Sequence, residues 1–417
     1  MLERLQLGVQ MIRRWTSQEG AIVVGGRHER FRSCLITALF FCVFVFLLKP
    51  EVNNSLAFFD LPDIASDRFW NIVLFAVSVV CIALYIVRRH FDPFFLLMAA
   101  ALVWIALSTA INGGEFKRLW NDWLPLLAVV GLVGAFVRSN WLELTRAMLA
   151  ACLLYLLLNL AGIFLDGRIG LQAQNYLFFG VRTITFKVAV PAILCAFLLD
   201  VAQERRISAL SVFTCLLSIF ETFVGYCATT LVAILVFIAL RIACESRVMR
   251  PKLNIFVYAT IDIVACLSIV ILRAQNAFAW FIEGVLHRSV TLSGRVGIWD
   301  TVFTLLGNGH LALGYGASYT WNTIFVDGKV YMHAHNDLLN LLMTGGIVLT
   351  VLVTVFFAVA ALQLYRCRSS EYAAILAAAV FCFMIIGVFE VTNCIGSFFL
   401  LAMSYGVKDF VGGKSVA

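Results

Sequence analysis

Apolar runs spaced along the whole chain constrain its fold more than any other feature of the sequence. A tilted helix needs about 17–25 predominantly apolar residues to cross a bilayer. Twelve runs approach this length when their loop edges are included, namely 31–48, 70–87, 94–111, 123–137, 147–165, 188–200, 208–224, 227–244, 255–272, 338–364, 373–389 and 394–407. The sequence therefore predicts an all-α polytopic membrane protein with about twelve transmembrane helices.

The overall composition supports this prediction. The chain is 62% hydrophobic and 13% charged, whereas roughly a quarter of the residues of a soluble protein are charged. The net charge of +7 needs no nucleic acid to explain it, because basic residues collect in the cytoplasmic loops of membrane proteins. The first thirty residues are polar and mixed in charge, so we expect no secretory signal. They are predicted to form a cytoplasmic tail with a surface-lying helix around Leu5–Trp15.

Basic residues also predict the orientation. If the N-terminus is cytoplasmic, most lysines and arginines fall in short cytoplasmic segments, as the positive-inside rule requires, while the first outer loop is acidic. Both termini are then cytoplasmic. The predicted organisation is a cytoplasmic tail (1–32), nine transmembrane helices (33–272), a large outer loop (273–336), three transmembrane helices (337–407) and a cytoplasmic tail (408–417).

Several basic residues lie on the outer side in this arrangement. They occupy one shorter and one longer outer loop and are Arg168, Arg182, Lys187, Arg273, Arg288, Arg295 and Lys329. Longer loops tolerate such charges, which is the simplest interpretation. The clustering of basic residues in two outer segments favours an anionic ligand on that side.

The twelve cysteines do not form a disulfide or metal-binding pattern. Almost all fall within apolar runs, and none lies between Arg273 and Asn336, the one long polar stretch. A cysteine embedded in a membrane helix behaves as a small hydrophobic residue. We therefore expect no disulfide framework and no cysteine-ligated metal.

The loop 273–336 is long enough to carry function and holds four of the six histidines. Its sequence predicts a short interfacial helix over 276–288 and a second helix within 292–309, capped by Ser293 and ending at 307–309. Gly-Tyr-Gly at 314–316 is predicted to be a turn, and Asp-Gly within 323–332 predicts a β-hairpin.

Arg295 is predicted to lie in the first turn of the second loop helix. Free N–H groups and the helix dipole favour an anion at that position, and an adjacent guanidinium makes a phosphate clamp. The alternative interpretation is an arginine that pairs with a nearby carboxylate.

The stretch "HAHNDLLNLL" (333–342) introduces the second group of candidates. Asn336 is a good N-cap for the following helix, and Asp337 suits its first turn. His335 then stands at the positive end of that helix, where the imidazole should stay neutral and can act as a general base. His333 is expected to point the other way if the segment is extended, and is the weaker candidate.

Three alternatives stay open for these histidines. They could form part of a metal site, for which Asp337, His310 or Asp327 would have to supply further ligands. They could simply pack and cap at a membrane interface. The chain could also be a transporter, although no internal repeat supports this and the one clear mid-span charge, Asp262, is interpreted as a buried, hydrogen-bonded structural acid.

Three patches resemble the O-antigen ligase and polysaccharide polymerase superfamily, whose members join glycans carried on undecaprenyl diphosphate in the bacterial periplasm. They are "SGRVGIWD" (293–300), "NGHLALGYG" (308–316) and "HAHNDLLNLLMTGG" (333–346). The resemblance covers about 293–350 well and the rest by topology only. It implies a GT-C-like inner-membrane glycosyltransferase with its active site in a periplasmic loop. The acceptor would be a sugar or lipid A-core, and whether the chain also pairs with a chain-length regulator stays open.

The resemblance also implies roles for particular residues. His335 matches the catalytic base, Asn336 its partner, and Arg295 the arginine that holds the lipid diphosphate. The family's basic residue before the span at 227–244 is missing here, so Arg182, Lys187 and Arg288 are the further diphosphate-binding candidates, with His333 and Tyr315 as auxiliary residues. Because diphosphate is a stable leaving anion that arginines can neutralise, no metal or cofactor is expected.

The sequence leaves two functional alternatives. Within the same chemistry, a polymerase extends a growing chain, whereas a ligase transfers the finished chain to lipid A-core, and the sequence does not separate them. A lipid-linked oligosaccharide flippase is the alternative from another class.

Overall fold

The computed structural model describes residues 27–50, 67–88, 91–165, 176–284, 289–318 and 324–411. The predicted surface helix around Leu5–Trp15 lies outside these residues. These residues are mostly helical, and the only strands among them form two small hairpins.

The first half of the chain contains five long helices. These are α1 (Arg27–Leu47), α2 (Asp67–Arg88), α3 (Pro93–Ile111), α4 (Leu124–Leu165), which follows a π-helical turn at Leu119–Trp123, and α5 (Phe186–Ala202). Strands β1 (Tyr176–Leu177) and β2 (Gly180–Val181) and a 3-10 turn (Arg182–Thr185) precede α5. Helix α1 begins within the segment 1–32 that was predicted to be a tail.

The second half contains the remaining helices and the loop. Helices α6 (Ala209–Val224), α7 (Ala228–Ala243) and α8 (Ile255–Cys266, continued by a π turn to Ile271) lead to the loop. The loop contains a 3-10 turn (Ala274–Phe278), α9 (Ala279–Gly284), α10 (Arg295–Leu305), a π turn (Leu306–His310), β3 (Ile324–Val326) and β4 (Lys329–Tyr331). It is followed by α11 (Asp337–Arg366), α12 (Glu371–Gly387), α13 (Ile395–Tyr405) and α14 (Val407–Val411).

Six of the described helices are long and apolar enough to cross a membrane. They span His28–Leu47, Phe69–Arg88, Pro93–Ile111, Leu119–Phe164, Thr183–Ala202 and Asp337–Arg366, and five shorter apolar helices accompany them. The chain is therefore an all-α membrane protein, and each predicted apolar run overlaps one of its helices, with ends that differ by at most four residues outside α4.

Helix α4 is a special case because it continues through two predicted runs. The apolar stretch Leu119–Phe164 has 46 residues, which corresponds to about 69 Å of helix, or roughly twice the hydrocarbon thickness of a bilayer. Asn140 interrupts it with non-helical φ and ψ angles of −140° and 32°. The bend lies in the short polar segment that connects the predicted runs 123–137 and 147–165.

The core of the bundle lies around α4 and α5. Almost every residue from Phe186 to Val201 is buried, because α5 is surrounded by α4, α6, α12 and α13. A second, smaller core lies under the loop, where Trp299 and Val302 of α10 pack with Ile324 of β3 and Met343 of α11. This second core fixes the loop against the end of the bundle.

The loop follows its predicted pattern in most places. The Asp327–Gly328 turn has positive φ at both residues, 48° and 77°, and joins β3 to β4 in register Val326↔Lys329, as the hairpin signal indicated. One prediction is wrong. Gly294 at φ 86°, not Ser293, occupies the N-cap of α10 and makes no side-chain cap bond, because Ser293 itself has a left-handed backbone, φ 61°.

Candidate active site at the end of the bundle

One carboxylate, Glu390, contacts three side chains from distant parts of the chain. Nδ1 of His335 lies 3.2 Å from Oε2 of Glu390 and 3.2 Å from its Oε1. Nε2 of His333 lies 3.5 Å from Oε1, and Nη2 of Arg295 lies 3.7 Å from Oε2. We call these four residues the His–Glu–Arg cluster. The cluster therefore places imidazole groups that can accept a proton next to a carboxylate and a guanidinium.

The backbone of 333–336 is held from several sides. Trp299 is fully buried and its Nε1 donates to the carbonyl of Ala334, 3.1 Å away. The backbone N–H of His335 donates to Nδ1 of His333 at 3.3 Å, and Asn336 caps α11 by accepting from the N–H of Leu339 at 3.0 Å. The loop core and the helix cap together therefore fix this turn.

The expectation that His333 and His335 point in opposite directions is wrong. Alternation requires an extended backbone, whereas His335 has a left-handed conformation with φ 49°. The two rings consequently lie on the same side, with centroids 4.0 Å apart. A non-glycine residue in this region is uncommon and is retained where the surrounding structure over-determines it, often at functional sites.

The segment that carries Glu390 is fastened on both sides of it. Nδ2 of Asn336 donates to the carbonyl of Val388 at 3.1 Å. The Asp337 carboxylate accepts from the backbone N–H of Thr392 at 2.7 Å and also from its hydroxyl. The two residues directly after His335 therefore hold the chain two residues before and two residues after Glu390. This fixes the separation between the imidazole and the carboxylate.

The environment sets the charge state of the cluster. Burial acts to raise the pKa of the Glu390 carboxyl, but the hydrogen bond with His335 and the interactions with His335, His333 and Arg295 lower it to about 2. Burial, with a further contribution from His335, lowers the pKa of His333 to about 4, although Glu390 acts in the opposite direction. At neutral pH Glu390 is therefore a carboxylate and His333 an uncharged imidazole.

Arg295 is engaged by the protein itself. Its Nε donates to the carbonyl of Phe389 at 2.8 Å and its Nη1 to that of Leu292 at 3.2 Å. The N–H groups of Arg295 and Val296 also donate to backbone carbonyls, those of Leu292 and Thr291. The geometry therefore corresponds to the alternative interpretation, an arginine paired with a nearby carboxylate, rather than to a free helix N-terminus with a phosphate clamp.

A cavity of about 560 Å³ with a mixed polar and apolar wall lies beside the cluster, and His333 and Glu390 form part of that wall. Its other charged residues are Lys49, Arg118, Asp122 and Lys187. They come from the end of α1, the π-helical turn before α4 and the start of α5, so the cavity lies where these helices begin or end. Three basic groups with two acids give its wall a local excess of positive charge that suits an anion.

Sequence analysis singled out only Lys187 among these basic cavity residues. Lys49 and Arg118 were missed because Lys49 looked like an isolated charge at the end of an apolar run and Arg118, beside Lys117, looked like part of a short connecting loop. Glu390 was missed for the same reason as Lys49, although its position between two closely spaced runs, on the side of the predicted active site, was a usable signal.

Other predicted residues lie elsewhere. Arg288 is outside the described residues, and Arg182 is described only through its backbone, at the start of the 3-10 turn before α5. Tyr315 does not join the cluster. Its hydroxyl donates to the carbonyl of Leu305 at 3.0 Å and its ring stacks on His310, with centroids 3.8 Å apart.

Asp262 differs from its prediction as a hydrogen-bonded structural acid. It is half-buried and faces a second, mostly apolar cavity of about 400 Å³ between α8, α11, α12 and α13. Within the described part of the chain it accepts no hydrogen bond.

A metal could be considered at the cluster, because one ligand atom from each of His333, His335 and Glu390 lies within 4.8 Å of the others. The third group is Glu390, not the residues proposed from the sequence. Two features oppose a cation. Nδ1 of His333 accepts a backbone N–H, which leaves the ring proton on Nε2, the nitrogen that faces Glu390. The guanidinium of Arg295 already neutralises the carboxylate.

The fold and the site define the class of protein. It is a helical membrane protein with a histidine–carboxylate–arginine site and a basic cavity at one end of its bundle. No protein-family model, curated protein or solved structure matches the chain.

Proposed function

We propose that the chain is a membrane glycosyltransferase of the O-antigen ligase and polysaccharide polymerase type. The observation that carries the proposal is the meeting of Arg295 and His335 on one carboxylate, next to a basic cavity. The resemblance assigns diphosphate binding to Arg295 and base catalysis to His335; since Arg295 pairs with Glu390 in the structure, we assign diphosphate binding to the basic residues of the cavity instead. Two of the three patches that carry the resemblance, 293–300 and 333–346, thus contribute residues to the same cluster.

The proposed topology has twelve crossings in a bacterial inner membrane, with both termini cytoplasmic. It rests on counting α4 as two crossings and the five shorter apolar helices as one each. The cluster then lies on the periplasmic side, since basic residues concentrate in the opposite connections. The anionic group of a donor carried on undecaprenyl diphosphate would then lie on the same side of the membrane as the cluster.

The proposed reaction uses the cluster and the cavity for different tasks. His335 takes the proton of the acceptor hydroxyl, which makes the oxygen a competent nucleophile. The oxygen attacks the anomeric carbon of the donor sugar as the lipid diphosphate departs with the bonding electrons, so the anomeric configuration inverts. Lys187, Lys49 and Arg118 line the space in which the departing charge needs neutralisation. No metal or cofactor takes part in this scheme.

The test is glycan transfer by the purified chain in lipid nanodiscs, with undecaprenyl-diphosphate-linked repeat units as donor and either repeat units or lipid A-core as acceptor. We expect transfer by the wild type and a loss of at least about 100-fold for His335→Ala, the range for removal of a general base. His28→Ala is the matched control, because His28 is exposed on α1, far along the chain from the cluster.

The same assay separates the alternatives. Growth of free repeats identifies a polymerase, and attachment to lipid A-core identifies a ligase. Absence of transfer by the wild type, or an unchanged rate in His335→Ala, contradicts the proposed function. A flippase would instead move the lipid-linked glycan across a vesicle membrane regardless of His335. Loss of transfer in EDTA would overturn the metal-free scheme.

A further inference from the structure

The two histidines of the cluster are chemically distinct, although they lie side by side. Nδ1 of His333 accepts the backbone N–H of His335, so it cannot carry a proton in the uncharged ring. The proton of His333 must then be on Nε2, which faces Oε1 of Glu390 at 3.5 Å. Both ring nitrogens of His333 are therefore engaged, and no lone pair is left to receive a proton from a substrate.

His335 presents the opposite arrangement. Its Nδ1 lies at the same distance, 3.2 Å, from both oxygens of Glu390. A carboxylate only accepts hydrogen bonds, so this contact places the ring proton on Nδ1. Nε2 then keeps its lone pair, and it has no hydrogen-bond partner in the described part of the chain. Of the two rings, only His335 can act as a base.

The position of Glu390 relative to His335 is fixed by contacts on both sides of residue 390. Asn336 and Asp337 fasten the chain on both sides of it, and Arg295 holds the carbonyl of the preceding residue, Phe389. The charged groups that face the His335 ring are Glu390 from the α12–α13 connection and, beyond it, Arg295 from α10. On its own segment, the ring centroids of His333 and Tyr331 lie 4.0 and 6.3 Å from that of His335.

We propose that Glu390 is a positioning residue that holds His335 in the tautomer with the proton on Nδ1 and stabilises the imidazolium formed during transfer. This inference rests on the proposed function. In the step, the acceptor O–H bond breaks and its proton moves to Nε2 of His335. The oxygen forms a bond to the anomeric carbon, and the bond from that carbon to the diphosphate oxygen breaks, with the electron pair leaving on the diphosphate. Glu390 gains and loses no proton.

Arg295 keeps Glu390 in its anionic form in this arrangement. With the guanidinium 3.7 Å from Oε2, the carboxylate is stabilised as an anion and does not remove the Nδ1 proton from His335. The arginine therefore acts on the base through Glu390, which is a role different from direct contact with the donor.

The experiment compares Glu390→Gln, Glu390→Asp and the control Glu115→Gln, which changes an exposed glutamate that lies outside the cluster and the cavity. A glutamine can donate from its NH2 group to Nδ1 of His335, which favours the tautomer with the proton on Nε2. We expect kcat in Glu390→Gln to fall by about 100- to 10,000-fold, as for a catalytic histidine whose carboxylate partner is replaced by an amide. The KM for the lipid-linked donor should change by less than about threefold. Glu390→Asp should restore part of kcat.

The pH profile and the tautomer supply readouts that a purely structural role would not move. In Glu390→Gln the acid limb of the kcat profile should shift to lower pH, because the imidazolium has lost its counter-charge. In the wild type, 15N NMR of labelled histidine, with the signals of His333 and His335 assigned among the six histidines by substituting each in turn, should show the proton of His335 on Nδ1 and that of His333 on Nε2.

Equal losses of kcat in Glu390→Gln and in Glu115→Gln, or a loss confined to KM, would overturn the positioning role while leaving the proposed function intact. So would two rings with the same tautomer. Should Glu390→Gln unfold, the NMR measurement on the wild type still decides. Absence of transfer by the wild type is a separate result, which counts against the function itself.

Discussion

The loop and the start of α11 contact the rest of the bundle at two junctions, which are built from different chemistry. The glycine junction consists of residues 311–317 against residues 343–347, and its contacts are mainly between backbones. The histidine junction consists of residues 333–337 against the 388–392 connection, and its contacts are mainly between side chains. The first fixes where the loop lies, and the second decides which ionisable groups meet.

The glycine junction explains two of the sequence patches. Helix α11 is broken at Gly345–Gly346, and the loop inserts there. The N–H groups of Tyr315 and Gly316 donate to the carbonyls of Met343 and Thr344 at 2.7 and 3.0 Å, and the N–H of Ile347 donates to Leu311. The backbone groups that the break leaves without helical partners are therefore hydrogen-bonded by the loop. Irregular backbone in a membrane protein requires such partners.

Helix α3 completes the junction from the other side. Nε1 of Trp104 donates to the carbonyl of Gly345 at 2.7 Å, and the hydroxyl of Ser108 donates to that of Leu313 at 2.6 Å. Gly316 approaches so closely that an added Cβ would lie 2.6 Å from the Cα of Thr109. The glycines are thus required by close backbone approach, not by turn formation alone.

Replacing Gly346 with alanine should produce the largest effect on stability. Its φ is 65° with ψ −159°, a region that is essentially restricted to glycine. An added Cβ would overlap the carbonyl group of Ala312 and lie 2.6 Å from the nitrogen of Leu313. We expect a loss of about 3 kcal/mol or more in the free energy of unfolding, or failure to accumulate, measured by thermal unfolding in detergent.

Gly307→Ala is the matched control for that variant. A Cβ added at Gly307 meets no atom within 4 Å, so the protein should keep its stability and transfer activity. If Gly346→Ala unfolds at the same temperature as the wild type, the described packing of the glycine junction is wrong.

The amount that the sequence could predict also differs between the two junctions. Apolar runs and the Asp327–Gly328 turn carry their own local signal, and the structure contains helices and a hairpin there. The turn at 314–316 was predicted, but its partner, the break at Gly345–Gly346, depends on tertiary contact that no local pattern encodes. Likewise, Ser293 was a reasonable N-cap by residue type, but the left-handed backbone before α10 prevents it.

At the histidine junction, residue types were easier to predict than geometry. The sequence singled out His335, Asn336 and Arg295, which lie together in the structure. It missed Glu390, since the contact joins positions 55 residues apart, and it gave His333 the wrong direction because the left-handed backbone of His335 could not be foreseen. Local signals thus identified the groups, and long-range packing determined their roles.

The pH dependence of stability should separate the junctions, because below neutral pH only the histidine junction contains side chains that titrate. The folded-state pKa of His333 is lowered from 6.5 to about 4, so the unfolded chain binds more protons between these values. Stability then falls as the pH falls from about 6.5 to 4. The pKa of Glu390 is lowered from 4.5 to about 2, so its contribution is present above about 4.5 and is lost as the pH falls towards 2.

Thermal unfolding of the wild type, His333→Gln and Glu390→Gln across pH 3 to 7.5 measures these contributions. His333→Gln should flatten the part of the curve between pH 4 and 6.5, and Glu390→Gln the part below pH 4.5. Gly307→Ala should follow the wild-type curve throughout. An unchanged slope in both cluster variants would mean that other groups cause the acid sensitivity.

Tyr315→Phe should have the smallest effect and tests on which junction Tyr315 belongs. The resemblance makes Tyr315 an auxiliary candidate for the site, but in the structure its hydroxyl donates to Leu305 and its backbone N–H to Met343. Removing the hydroxyl should therefore cost about 0.5–1.5 kcal/mol of stability, the value of one hydrogen bond, and leave kcat within about twofold of the wild type. A large fall in kcat with unchanged unfolding temperature would instead place the hydroxyl on the substrate. The loop would then have to move towards the cluster during transfer, and the glycine junction could not be the fixed support that its backbone contacts indicate.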